Sequence, residues 1–299
     1  MFFNTVNSPE PGNRTNINLS KPERRAKIET PLRDSTTGGR LFIGTSGWRY
    51  ASWRGDFYPK GLVQRRELEY LSRQVNSLEL NGSFYSLQRP ESYDNWREQT
   101  PPGFRFAVKG GRYITHMVGP DKLQAALERF FASGVTRLGD RLGPILWQFP
   151  ARRRFDPDHL ETFCAALPRS RDGKRLQHAI EPRHDSFADP RCAQIMNRHR
   201  IALAASDGAG EWPTLFMDAA TDATAGLVYV RLHGPHELYH GGYSAKELAQ
   251  WASVIRDLAT RGGRATARDA YVYFDNDADG RAPYDALALA ELMADTLAG

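Results

Sequence analysis

The chain has 299 residues, a hydrophobic share of 40%, a charged share of 25% and a formal net charge of +5. This is the composition of a soluble globular protein with room for one large domain or two small ones. No apolar run of about 18 residues occurs, so no transmembrane helix is expected, and the opening "MFFNTVNSPEPGNRTNINLS" lacks the apolar stretch of a secretory signal.

Residues 1–40 are rich in Pro, Asn, Thr and Arg without apolar periodicity, and they read as a flexible N-terminal extension. They carry seven Lys or Arg against four Asp or Glu, a net +3, so the remaining chain holds only +2. The basic balance is therefore a weak argument for nucleic acid, and a solvated tail accounts for it. The two cysteines, Cys164 and Cys192, have no metal-like spacing and fit small buried side chains in helices. A cytoplasmic location and no membrane partner are expected.

From Leu41 onward, short β-type runs alternate with amphipathic stretches. In chain order the runs are "LFIGTS", "SLELN", "FRFAVKG", "GPILWQF", "HAIEPR", "ALAASD", "LVYVRLH" and "AYVYFDN". Helical patterns follow the first five and the last two: "RRELEYLSRQV", "PESYDNWREQ", "PDKLQAALERFFASG", "DPDHLETFCAAL", "DPRCAQIMNRH", "SAKELAQWASVIRDLATRG" and "YDALALAELMADTLAG". After the sixth run the helix is short or absent. Eight strand–helix units imply parallel strands with right-handed crossovers, and about 260 residues match an α/β fold of the (β/α)8 TIM-barrel type over residues 41–299. An open doubly wound sheet is the alternative, but no G-x-G-x-x-G turn follows the first strand.

Side chains alternate between the faces of a strand, and a barrel's outer face must be apolar to meet its helices. On "SLELN" that rule sends Glu79 and Asn81 inward; on "FRFAVKG", Lys109; on "HAIEPR", Glu181 and Arg183; on "LVYVRLH", Tyr229, Arg231 and His233. Gln148 and Asp207 end strands four and six, while Asp275, Asn276 and Asp277 end strand eight with ambiguous parity. Trp147 has the parity of the outer face. Charged groups at the C-terminal ends of several strands are where this fold builds active sites; the bland reading is an internal ion-pair layer.

"GTSGWRYASWRGDFYP", "LELNGSFY", "FRFAVKGGRYITH", "LGPILWQFP", "IEPRH", "VYVRLHG" and "YFDNDADGRAP" occur in order from about residue 41 to 297. Together they resemble the YecE-like family, also called domain of unknown function 72. The resemblance implies a TIM barrel, and a likeness of such barrels to endonuclease IV-type enzymes implies DNA or phosphate binding. Carried over by position, it marks Gly44, Ser46, Gly47, Trp48, Glu79, Asn81, Phe84, Tyr85, Lys109, His116, Gln148, Glu181, Arg183, His184, Asp207, Arg231, His233, Gly234, Tyr239, Tyr243 and Asn276. Pro182 stands where an aromatic is expected, and Asp275 where Asn is commoner.

Three chemistries compete for these residues. Lys109, Arg183, Arg231, His116 and His233 form a candidate anion site by charge-assisted hydrogen bonding, helped by backbone N–H groups of "GGYS" and the helix opened by Ser244. Glu79, Glu181, His184, Asp207 and His233 are ligand types for a divalent metal, but cations share their face and no local motif supports one. No cofactor motif is present. Glu181 and Glu79, with His233, are the candidates for acid/base work; as a pair like that of glycosidases they are weaker, because strands two and five lie apart. Trp48, Tyr85 and Tyr239 are the aromatics best placed to stack on a ligand. The preferred reading is an enzyme, a candidate phosphate-ester hydrolase, that binds an anionic small molecule or nucleic acid. The alternatives are a non-catalytic nucleic-acid-binding module and a metal-dependent hydrolase or isomerase.

Overall fold

A computed structural model describes residues 32–33, 38–208, 226–260 and 268–294. Eight strands form the barrel wall: β1 Arg40–Ser46, β2 Ser77–Leu80, β3 Arg105–Lys109, β4 Leu142–Gln148, β5 His178–Glu181, β6 in two pieces, Ala202–Leu203 and Ala205–Ser206, β7 Leu227–Leu232 and β8 Asp269–Phe274. Each pairs in parallel with the next, and β8 returns to β1 through Ala270↔Leu41 to Phe274↔Thr45. The first piece of β6 pairs with β5 and the second with β7, so only Ala204 separates the two ends of the sheet path. The eight expected strands are thus the observed ones. Leu32–Arg33, inside the expected extension, pairs antiparallel with β1, and Arg40 belongs to β1 itself.

The outer layer follows the expected helical patterns: α1 Glu67–Leu71, α2 Pro90–Gln99, α3 Pro120–Ala132, α4 Pro157–Ala166, α5 Pro190–His199, α6 Ala245–Thr260 and α7 Ala282–Ala294. Proline opens α2, α3, α4 and α5, where its missing N–H costs nothing. Ser244 and Glu247 cap α6 reciprocally: the Glu247 N–H donates to Ser244 Oγ at 3.3 Å, and the Ser244 N–H donates to Glu247 Oε2 at 2.7 Å. The expected helix after β6 falls on residues 209–225, outside the described ones.

Strand parity divides the core in two. Ile43, Leu78, Val108, Trp147, Ile180 and Val230 face outward and pack with the helices. Phe42, Ala107, Leu146, Ala179, Ala202, Ala204, Leu227, Tyr229, Tyr271 and Tyr273 fill the interior. Branched aliphatics usually do this; here tyrosines from β7 and β8 face alanines from β3, β5 and β6. Phe42 stacks on Tyr271 at 4.7 Å, and the Tyr229 and Tyr273 rings lie 5.4 Å apart. Tyr273 bonds Ser77 Oγ at its own level of the barrel, and Tyr229 donates upward to Glu79 Oε2, both at 2.7 Å. Through Tyr229 the aromatic interior supports the polar layer above it.

β1 and β2 approach closely at Gly44. A Cβ there would lie 1.8 Å from the Ser77 carbonyl oxygen, a backbone atom that cannot swing aside. Gly44→Ala should cost about 3 kcal/mol or more as an overpacking change, a fall of about 6–12 °C in melting temperature for a domain this size. Calorimetry giving a wild-type melting temperature would contradict that contact.

Candidate functional site

The inward positions at the C-terminal ends of the strands converge on Arg231 of β7, which is fully buried. Its Nε donates to Glu79 Oε2 at 3.0 Å and its Nη2 to Glu79 Oε1 at 2.8 Å, a bidentate pair. Nη1 donates to Glu181 Oε2 at 3.0 Å, and Nη2 also reaches Asp275 Oδ2 at 2.9 Å and Ser46 Oγ at 3.2 Å. One guanidinium thus joins carboxylates from β2, β5 and the end of β8. Strands two and five, whose separation weakened the reading of a glycosidase-like pair, each send a carboxylate to this shared cation. The parity of strand eight is settled as well: Tyr271, Tyr273 and then Asp275 face inward.

Glu79 accepts four hydrogen bonds, two from Arg231, one from Ser46 Oγ at 2.7 Å and one from Tyr229. A carboxylate has about four lone-pair positions, so none remains for a substrate proton. Burial works to raise its pKa, but Arg231 and Lys109 overcome that and hold it below the usual value. Glu79 is therefore an anchor for Arg231, not the proton carrier expected from its strand position. Glu181 accepts from Arg231 and, at 3.4 Å, from Arg183 Nη2.

His233 Nε2 faces Arg231 Nη1 at 2.7 Å and Arg183 Nη2 at 3.3 Å. Guanidinium groups only donate, so Nε2 accepts and the ring hydrogen sits on Nδ1, next to Ser206 Oγ at 3.1 Å. Burial, reinforced by Arg231, Arg183 and Lys109, pushes its pKa well below 6.5. The imidazole is neutral. Asp207 accepts the backbone N–H groups of His233 at 3.0 Å and Gly234 at 3.4 Å, and also the Tyr243 hydroxyl. Burial raises its carboxyl to about 6. Asp207 and Tyr243 thus fix the exit of β7.

Lys109 of β3 is buried, yet its ammonium has no hydrogen-bond partner among the described residues. It lies 4.4 Å from the Phe84 ring centroid, a cation–π contact. Burial, then repulsion from Arg231, lowers its pKa to about 8 against the pull of Glu79, Glu181 and Asp275. Beside it on β4, Gln148 is buried with Oε1 unpartnered among the described residues.

The family model described as "Protein of unknown function DUF72" matches residues 42–298. The chain belongs to the DUF72 family. It is 25% identical over 284 residues to UPF0759 protein YunF of Bacillus subtilis (strain 168), covering 85% of this chain and 94% of that one. It is 30% identical over 168 residues to UPF0759 protein YecE of Escherichia coli (strain K12), covering 53% and 54%. A crystal structure of a DUF72 family protein from Thermotoga maritima MSB8 superposes with TM-score 0.69 at 23% identity, over 85% of this chain and 98% of that one. The shared fold is a TIM barrel.

Other expected residues of this DUF72 chain lie around or away from the centre. Asn81 donates to Ser46 Oγ at 2.7 Å, and Asn276 donates to Gly241 O and Asp285 Oδ2. His116 sits on a π-helical turn, Tyr113–Met117, where its pKa is lowered to about 4 by burial, then by Arg112, Arg152, Lys109 and Arg153. Tyr239 stands exposed at the mouth with φ +70°, its ring 6.4 Å from His233, and Tyr85 is 73% exposed. Trp48 instead packs edge-on to Trp96 at 5.8 Å within the outer core, so it is no stacking platform. His184 Nδ1 accepts from the Ser186 N–H, capping the turn Asp185–Ala188. His236 and His240 are exposed and lie beside Glu247 and Asp279.

Among the described residues no group of three or more His, Cys, Asp or Glu is arranged to hold a metal. The space between Glu79, Glu181 and Asp275 is filled by the Arg231 guanidinium. Sequence reasoning missed Ser206 and gave no role to Ser46, marked by the family resemblance, to Tyr229, placed inward by parity, or to Asp275, placed at the end of strand eight. Ser206 was readable from parity alone, since it faces inward one residue before Asp207. No described helix is long and apolar enough to cross a membrane.

Proposed function

We propose that the barrel mouth binds an anionic ligand, a phosphate ester or nucleic-acid-like molecule, on the side formed by the ends of β3, β4 and β5. The observation that carries this reading is the gathering of cations in that quadrant: Arg152 Nη2 donates to the His116 carbonyl oxygen at 3.3 Å, the His116 ring lies 5.4 Å from Phe84, and Lys109 Nζ lies 4.4 Å from that same Phe84 ring. Arg183, from the end of β5, adds a guanidinium beside His233. Exposed Tyr85, 5.2 Å from the Phe84 ring that carries Lys109, and exposed Tyr239, 6.4 Å from His233, offer ring faces at the mouth, the combination that holds sugar–phosphate or base groups. The Arg231 ion-pair layer below is pre-organised and water-poor, which strengthens electrostatic contacts made above it.

Isothermal titration with inorganic phosphate and with a short single-stranded oligonucleotide tests the reading. Binding should weaken steeply with salt, as displaced counterions require. Arg183→Ala should weaken binding roughly tenfold, the loss of one charge-assisted bond. Salt-insensitive binding, or none of either anion, would remove the basis for the proposal. Turnover of a phosphate ester would favour an enzyme; oligonucleotide binding alone would favour the non-catalytic module.

A further inference from the structure

We infer that Lys109 is a carbonyl-reactive amine: it sits inside the mouth with no hydrogen bond to restrain it, and it condenses with an aldehyde or ketone carried by the bound anion. The anionic part of that ligand rests on the function proposed above; the amine chemistry does not. Lys109 is buried, whereas Lys60, Lys122 and Lys246 are exposed and Lys174 is half-buried. An isolated ammonium in a low-dielectric pocket normally finds a carboxylate. Among the described residues no carboxylate oxygen comes within 4.0 Å of Lys109 Nζ, because Arg231 has gathered Glu79, Glu181 and Asp275 to itself. The Phe84 ring supports the amine from one side, and the unpartnered Gln148 Oε1 on the neighbouring strand can accept from a hydroxyl at the same place.

Burial and the nearby guanidinium also leave a usable share of the amine neutral near pH 7. The neutral Nζ attacks the carbonyl carbon, a C–N bond forms, and the carbonyl oxygen takes up a proton to give a carbinolamine. The hydroxyl then leaves as water with a second proton, and a protonated imine remains. Overall, carbonyl compound plus lysine ammonium gives iminium plus water. The second proton is the one the ammonium gave up on becoming neutral, so the step balances without a further acid.

The full chain is incubated with glyceraldehyde 3-phosphate or unphosphorylated glyceraldehyde and sodium cyanoborohydride, which reduces the imine to a stable secondary amine. The adduct is located by peptide mass spectrometry. With both aldehydes Lys109 should carry it roughly 200-fold faster near neutral pH than a free lysine amine of ordinary pKa, from the difference in neutral fraction. Its rate should level off above about pH 8. Lys109→Met should abolish the adduct in a protein that melts no lower than the wild type. Label spread over the exposed lysines without Lys109, or a Lys109 rate still climbing beyond pH 10, would overturn the inference. If both aldehydes label Lys109 equally and inorganic phosphate gives no protection, the amine chemistry stands and the anion reading falls.

Discussion

Arg231→Met is expected to lower the melting temperature by at least about 10–20 °C or to leave the chain insoluble. Arg231 holds Glu79, Glu181 and Asp275 at 2.8, 3.0 and 2.9 Å in a site from which water is excluded. Removing one partner of a buried ion pair costs about 3–5 kcal/mol, because the other charge stays buried without compensation. Three carboxylates lose their partner here, so about 5 kcal/mol is a lower bound, and a domain of this size loses about 2–4 °C per kcal/mol. Neutralising the carboxylates in the same chain, as Glu79→Gln, Glu181→Gln and Asp275→Asn with Arg231→Met, should recover much of that loss. Denaturant melts of both variants decide the point. A quadruple variant no more stable than the single one would mean that Arg231 acts by packing and not by charge.

Lys109→Met should act in the opposite direction, raising stability by up to about 3 kcal/mol at pH 7. The sign follows from proton counting. Burial, aided by Arg231, lowers the Lys109 pKa from 10.5 to about 8, so the folded chain binds fewer protons than the unfolded chain between those values. The resulting penalty is present in full below about pH 8 and disappears as the pH approaches 10.5. Methionine keeps the contact with the Phe84 ring without the charge. The gain should therefore be largest at pH 7 and close to zero near pH 10.5, as urea melts at the two pH values would show. An equal effect at both would assign the change to packing. A site residue whose removal stabilises the fold is one retained at a cost to stability.

Much of the barrel was readable because parallel strands buried on both faces appear as unbroken apolar runs, and the helices announce themselves with Pro, Asp or Ser at their starts. "PESYDNWREQ" is the observed α2 residue for residue. Parity then placed Glu79, Lys109, Glu181, Arg231 and His233 on the inner face without any structural input. Strand eight resisted, because "AYVYF" is apolar or aromatic on both faces. Only the Tyr–Ala packing of the interior shows that Tyr271 and Tyr273 turn inward and carry Asp275 with them. Trp48 failed as a ligand contact for a related reason: an aromatic beside a strand end has the same sequence signature whether it meets a ligand or Trp96. Of the three histidines in "YVRLHGPHELYH", one lies at the centre and two on the surface. That division follows from strand parity, which stops at His233. What no pattern revealed is the sharing of charge. One arginine takes three carboxylates, which leaves the lysine beside them without a carboxylate of its own.

The most direct test of the proposed site is a crystal structure of the chain grown with a phosphate ester. The expected density lies over the ends of β3 to β5, with phosphate oxygens within hydrogen-bond reach of Lys109 Nζ and Arg183 and with the Arg231 layer undisturbed beneath. A phosphate ester bound elsewhere on the barrel while that quadrant holds only water would contradict it.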